Sequence, residues 1–117
     1  MYVTILSSAA GALEYRLLDN KLNELIETSG CFLFSILCGC VEGELCPQTL
    51  LGIKWGKENG APILCTHEQS EDDVFKKILN KTDYAIFVLN GDVTINNLFM
   101  KYKMTGKHGS VIKINRD

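Results

Sequence analysis

Nothing in this chain is long and apolar enough to cross a bilayer. The longest apolar stretch, Cys31 to Cys40 broken only by Ser35 and Gly39, falls well short of the roughly 20 residues a span requires, so a membrane partner is not expected. Basic charge is not in excess either. The 12 lysines and arginines are mixed among 14 acidic residues for a net charge of -2, which gives no field for gathering a phosphate backbone and speaks against nucleic acid as a partner. Met1-Tyr-Val-Thr-Ile-Leu has no basic n-region and runs straight into strand pattern, so a secretory signal is not expected and a cytoplasmic location is. Repeats, low-complexity tracts, charge blocks and linkers are missing, and 117 residues suit one domain over 1–117. Histidine is scarce, with only His67 and His108 beside five cysteines. The Cys-x-Cys-x5-Cys of Cys38, Cys40 and Cys46 is not a zinc spacing. Free thiols, no metal and no cofactor are therefore expected.

What is present is an alternation of two periods. Tyr2–Leu6 reads as a strand, and Leu13–Glu27 has helical spacing, with Gly30 placed as its cap. The continuous apolar run Cys31–Leu37 reads as a strand covered on both faces, followed by the turn Cys38-Gly-Cys-Val-Glu-Gly43. A second helix is read up to Asn59, with Pro47 in its first turn. Ile63–Cys65 is a strand, Thr66–Ser70 a polar loop, and Glu71–Leu79 a helix capped by Ser70. Tyr84–Leu89, Thr94–Met104 and Ser110–Ile114 complete the order as strand, helix and strand. Strict alternation demands right-handed crossovers between parallel strands. The fold class expected is α/β, a Rossmann-like three-layer doubly wound parallel sheet of about five strands with helices on both faces.

Ligands of such sheets bind outside the carboxyl ends of the strands. Three loops qualify. In the first, Ser7, Ser8 and Gly11 offer hydroxyls and close backbone approach, with Arg16 as a charge partner, although neither GxGxxG nor GKS/GKT is present. The second gathers Gly39, Cys40, Glu42, Gly43 and Glu44; a catalytic thiol here would need a base, and no spacing pairs these cysteines with His67. The third holds Asn90, Gly91, Asp92 and Thr94, where Asp92 and Thr94 either hold a sugar hydroxyl or cap the next helix. Asp72, Asp73 and Asp83 read as surface or caps, His67 and His108 as exposed loop residues, and Trp55 and Phe99 as core before dimer contacts.

Cys38-Gly-Cys-Val-Glu-Gly followed by Ile53-Lys-Trp-Gly-Lys-Glu-Asn-Gly-Ala-Pro-Ile resembles the SLOG superfamily. There a strand leads into a glycine-containing loop, a helix with a Trp-Ala-like step and a Gly-x-Pro before the next strand, places filled by Trp55, Gly56, Gly60 and Pro62. Asp83-Tyr-Ala-Ile-Phe-Val-Leu-Asn-Gly91 with Asp92–Thr94 resembles the family's Asp-plus-strand segment and Gly-Gly-x-Gly-Thr loop, and Gly106 stands where the family has Gly-Lys-Pro. The likeness spans nearly the whole chain and is to the short single-domain branch, related to the LOG enzymes and the DprA/Smf proteins.

The resemblance implies a Rossmann-like fold and a nucleotide or nucleotide-derived ligand, such as a nucleoside phosphate or an ADP-ribose-like signal. Departures from the pattern bear on catalysis. Asn97 stands where LOG enzymes place a Glu three residues after the Thr, and Val93 replaces the preceding glycine; an amide cannot serve as the carboxylate that assists glycosidic cleavage. The leading expectation is binding without catalysis. One alternative is an N-glycosidic hydrolase or deoxyribosyltransferase-like enzyme using Glu42 or Glu44, with Asp92 positioning the sugar. Another is a small viral, phage or mobile-element protein that sequesters a signal or inhibits a host factor, as a homodimer or against a protein partner.

Overall fold

The structure, a computed structural model, describes residues 1–30 and 34–114. Its elements are β1 (Tyr2–Ser7), α1 (Ala12–Ser29), β2 (Ser35–Val41), β3 (Glu44–Leu45), a short 3₁₀ helix (Pro47–Thr49), α2 (Leu50–Asn59), β4 (Ile63–Glu68), α3 (Glu71–Lys81), β5 (Tyr84–Leu89), α4 (Val93–Lys103) and β6 (His108–Lys113). This is the expected α/β architecture, with six strands rather than about five. Five strands are parallel in the order β4-β2-β1-β5-β6. The sixth, β3, lies antiparallel to the end of β2, on the edge opposite β4. No described helix is long and apolar enough to cross a membrane.

Side chains alternate across a strand, so each strand feeds two cores. Val3, Ile5, Ile36, Ile86 and Val88 pack with Leu18 and Leu22 of α1 and Leu51 and Trp55 of α2. On the other face Leu6, Leu37, Ala85 and Phe87 meet Val74, Phe75 and Ile78 of α3 and Ile95, Leu98 and Tyr102 of α4. Trp55 therefore belongs to the core, where its indole N–H donates to Asp19 at 2.9 Å. Phe99 packs edge-on against Phe87. Gly30 and Gly60 close α1 and α2 as the sequence reading placed them, in the left-handed region at φ 68° and 71°, while Pro47 opens the 3₁₀ helix that precedes α2. Ser70 accepts the Asp73 N–H at 3.2 Å at the start of α3. The Asp83 carboxylate accepts the Tyr2 N–H at 2.8 Å.

Several boundaries differ from the sequence reading, among them the end of α3 at Lys81 rather than Leu79 and the start of β6 at His108 rather than Ser110, and three differences have a physical reason. The strand expected over Cys31–Leu37 runs from Ser35 to Val41, and Cys31 lies outside the described residues. Gly39 had the look of turn punctuation, but it is a packing residue: a Cβ there would stand 3.0 Å from Ile78 Cδ1 and 3.2 Å from Val74. The turn falls instead at Glu42-Gly43, both at positive φ (51° and 84°), a two-residue hairpin loop that makes β3. β4 continues through the polar Thr66–Glu68 because β2 also runs on, with Gly39, Cys40 and Val41 paired opposite Thr66, His67 and Glu68. His67 and His108 accordingly lie in β4 and β6, not in loops, and both are exposed.

Gly109 shows the tightest backbone approach, since a Cβ there would sit 2.7 Å from the Ala85 carbonyl oxygen of neighbouring β5 and 3.3 Å from the Tyr102 ring. A strand carbonyl cannot swing aside as a side-chain tip does. Gly109→Ala is expected to lower stability by about 1–3 kcal/mol in chemical denaturation, and more than Gly39→Ala, whose obstacles are side-chain methyls.

Candidate functional site

Strand order reverses between β1 and β5. From β1 the chain moves outward through α1 and α2 on one face, then returns through α3 to the far side of β1 on the other. The loops Ser7–Gly11 and Asn90–Asp92 lead to helices on opposite faces here, the position at which open α/β sheets form a crevice outside the carboxyl ends of their strands. The Ser8 hydroxyl donates across it to Asn90 Oδ1 at 2.8 Å. Ser7 is turned into its own loop, donating to the Ala9 carbonyl at 2.7 Å and accepting the Ala9 N–H. It shapes the loop and is 1% exposed.

α1 begins at Gly11, which has no side chain to cap it. The carboxylate of Glu14 fills the space a Cβ at Gly11 would occupy, with Oε2 2.8 Å from that position. Glu14 is 4% exposed and shares the buried stripe of α1 with Leu18 and Leu22, four and eight residues on; sequence reading missed it because only apolar residues were followed at that spacing. On the facing loop, Asp92 accepts the Ile95 N–H at 3.0 Å and caps α4, so the capping role is the one its geometry displays.

Of the sequence-predicted residues, Ser8, Gly11, Asn90, Gly91 and Asp92 belong to these two loops. Arg16 and Thr94 are exposed on the opening turns of α1 and α4. The second loop goes elsewhere. Gly39 and Cys40 are inside β2, and Glu44 is in β3. Glu42 and Gly43 line an open cleft with His67, Glu68, Gln69 and Asp73, at the ends of β2 and β4. A further concavity bounded by Met1, Ser35 and Pro62 lies at the amino ends of the strands, away from either.

Register brings a second group together. Cys38 pairs with Cys65 and Cys40 with His67, so the four side chains share one face of β2 and β4. Cys40 and Cys65 thiols are 2.8 Å apart. The Cys38, Cys40 and Cys46 set weighed from sequence is not the one that converges. Among the described residues, the metal-ligating atoms gathered within 4.8 Å are those of Cys40, Cys65 and His67. The hydrogen bond that the Cys40 thiol donates to Cys65, with burial, pushes Cys40 up to about 11. Burial foremost raises Cys38, Cys65 and Cys46, the last helped by the Glu71 carboxylate. All four stay protonated at neutral pH, which argues against an activated nucleophile.

No protein-family model and no curated protein matches the chain. Function must therefore be argued from the crevice itself. If Asp92 acts at α4 as a cap, Asp92→Ala should cost about 1 kcal/mol while Asp92→Asn costs a few tenths, read as the shift in urea midpoint.

Proposed function

We propose that the chain binds a nucleotide-derived small molecule, a nucleoside phosphate or ADP-ribose-like signal, in the crevice between β1 and β5, as a short single-domain member of the SLOG superfamily. The observation that carries this reading is the strand order, which puts the reversal between two short strand-to-helix loops bridged by Ser8 and Asn90. The motifs around Trp55-Gly56, Gly60-x-Pro62 and Asn90-Gly-Asp92 support the superfamily assignment.

Charge indicates which part of the ligand sits deepest. The segments Ser7-Ser-Ala-Ala-Gly11 and Asn90-Gly-Asp92 contain no lysine or arginine, and carboxylates stand at both helix starts. A phosphate there would meet negative charge, which offsets the attraction of a helix amino terminus. Hydroxyl and N–H donors of a ribose and base suit these acceptors better, with the phosphate held outward. In a thermal-shift panel of nucleosides, nucleoside phosphates and ADP-ribose, a ligand at 100 times its Kd adds about 2.7 kcal/mol of stability. Ser8→Ala with Asn90→Ala should abolish that rise without changing the unliganded melting temperature by more than a few degrees. Flat curves across the panel would sink the proposal.

A second reading, N-glycosidic cleavage, is favoured by one observation: the buried carboxylate at the crevice is Glu14, whereas Glu42 and Glu44 are exposed on the β2–β3 hairpin. Release of free base from nucleoside monophosphates that disappears in Glu14→Gln and persists in Glu42→Gln would establish it. Dependence on Glu42 instead would move the chemistry to the cleft beside β4.

A further inference from the structure

We propose that Cys40, Cys65 and His67 form a site for a thiophilic divalent cation, Zn²⁺, at the outer edge of the sheet, separate from the crevice. Two thiols and an imidazole are a soft and borderline donor set suited to that ion. Their ligating atoms lie within 4.8 Å of one another. Cys40 and Cys65, at 2.8 Å, have only to part by about 1 Å to reach the roughly 3.8 Å spacing that two tetrahedral Zn–S bonds of about 2.3 Å impose.

Core packing explains Cys40, which is 6% exposed, but not its partners. Cys65 and His67 are both exposed, on a strand whose outer edge is unpaired among the described residues. A burial-driven account would put an aliphatic residue at Cys65 and has no use for an imidazole two residues further on. The same edge provides the ion's route in and out. The cleft adjoining His67 carries Glu42, Glu68 and Asp73. Glu68 is already paired with Lys77, which leaves Glu42 and Asp73 to bias the local potential toward cations. With three protein donors, the fourth position faces solvent, as in zinc sites that exchange a ligand and unlike closed structural ones. Binding displaces one proton from each thiol to solvent, so two thiolates neutralise the ion's charge while the neutral imidazole contributes its lone pair.

The test uses the full chain, reduced with a phosphine under argon. One equivalent of Zn²⁺ should be taken up in competition with a chromophoric chelator. Co²⁺ in its place should give a thiolate-to-cobalt charge-transfer band with the visible bands of a tetrahedral ion. Cys65→Ser and His67→Asn, both at exposed positions, should keep the unliganded melting temperature and weaken uptake by roughly 100-fold or more, at or beyond the loss seen when a supporting residue of a metal site is removed. Failure of the reduced wild type to take up one equivalent overturns the site. So does uptake undiminished in either variant, or a cobalt spectrum without thiolate charge transfer.

Discussion

The pairing of β1 with β5 is the contact on which the rest of the sheet depends. Tyr2 and Asp83 clamp its start twice: the Asp83 N–H donates to the Tyr2 carbonyl at 2.9 Å while its carboxylate accepts the Tyr2 N–H. Two residues further into β1, the hydroxyls of Thr4 and Thr82 bond one another in the core, and Thr82 also donates to the Ile78 carbonyl at 2.7 Å. Buried hydroxyls left unpaired cost about 1–3 kcal/mol each, so a slip of β5 along β1 is penalised twice over. Register and the end of α3 are thereby set together. The crevice follows from this pairing, because Ser8 and Asn90 can meet only when Ser7 stands opposite Val88.

The return of the chain to that pairing is itself secured from the far edge. Lys107, just before β6, donates to the carbonyls of Leu79, Asn80 and Thr82 at 3.2, 2.6 and 3.2 Å. These carbonyls close α3, where a cation also complements the helix dipole. Tyr102 of α4 reaches the His108 carbonyl at 2.6 Å, tying the last crossover to its strand. The half of the sheet beyond β1 is thus held by polar contacts at its amino end and by Phe87 between Phe99 and Tyr102 in its core. Its carboxyl end is left to loops.

Much of this was legible in the residues, and what was not has identifiable causes. Tyr84–Leu89 could be read to the residue, because a six-residue apolar run between Asp83 and Asn90-Gly91 admits one interpretation. Ser70 and the glycines at 30 and 60 announce helix ends by local chemistry, which tertiary contacts do not override. Gly39 was misleading because a glycine in sequence has two meanings, turn or close packing, and only α3 resting on β2 decides between them. The hairpin at Glu42 was hidden by a residue type that rarely adopts positive φ. Glu14 carries a signal that is easily passed over: it stands four and eight residues before Leu18 and Leu22 on the buried stripe of α1, where a charged residue breaks the apolar pattern.

The cysteines make the same point about distance along the chain. Cys38-x-Cys40 and Cys65-x-His67 each obey the period of two that gives a strand one face, and each alone says little. Joined by the parallel register of β2 and β4, they become four donors on one surface across a separation of 25 residues between Cys40 and Cys65. β2 can offer that face because its other one is given over to α3: with no side chain at Gly39, Val74 and Ile78 press against the strand from one side while the thiols occupy the other. A bulkier residue at 39 would lift α3 and loosen the strand that aligns Cys40 with His67. The edge cluster therefore depends on a packing glycine on the opposite face, and the Ser8–Asn90 contact on a threonine pair two strands away from that cluster, so the two proposed sites share one sheet yet rest on separable contacts.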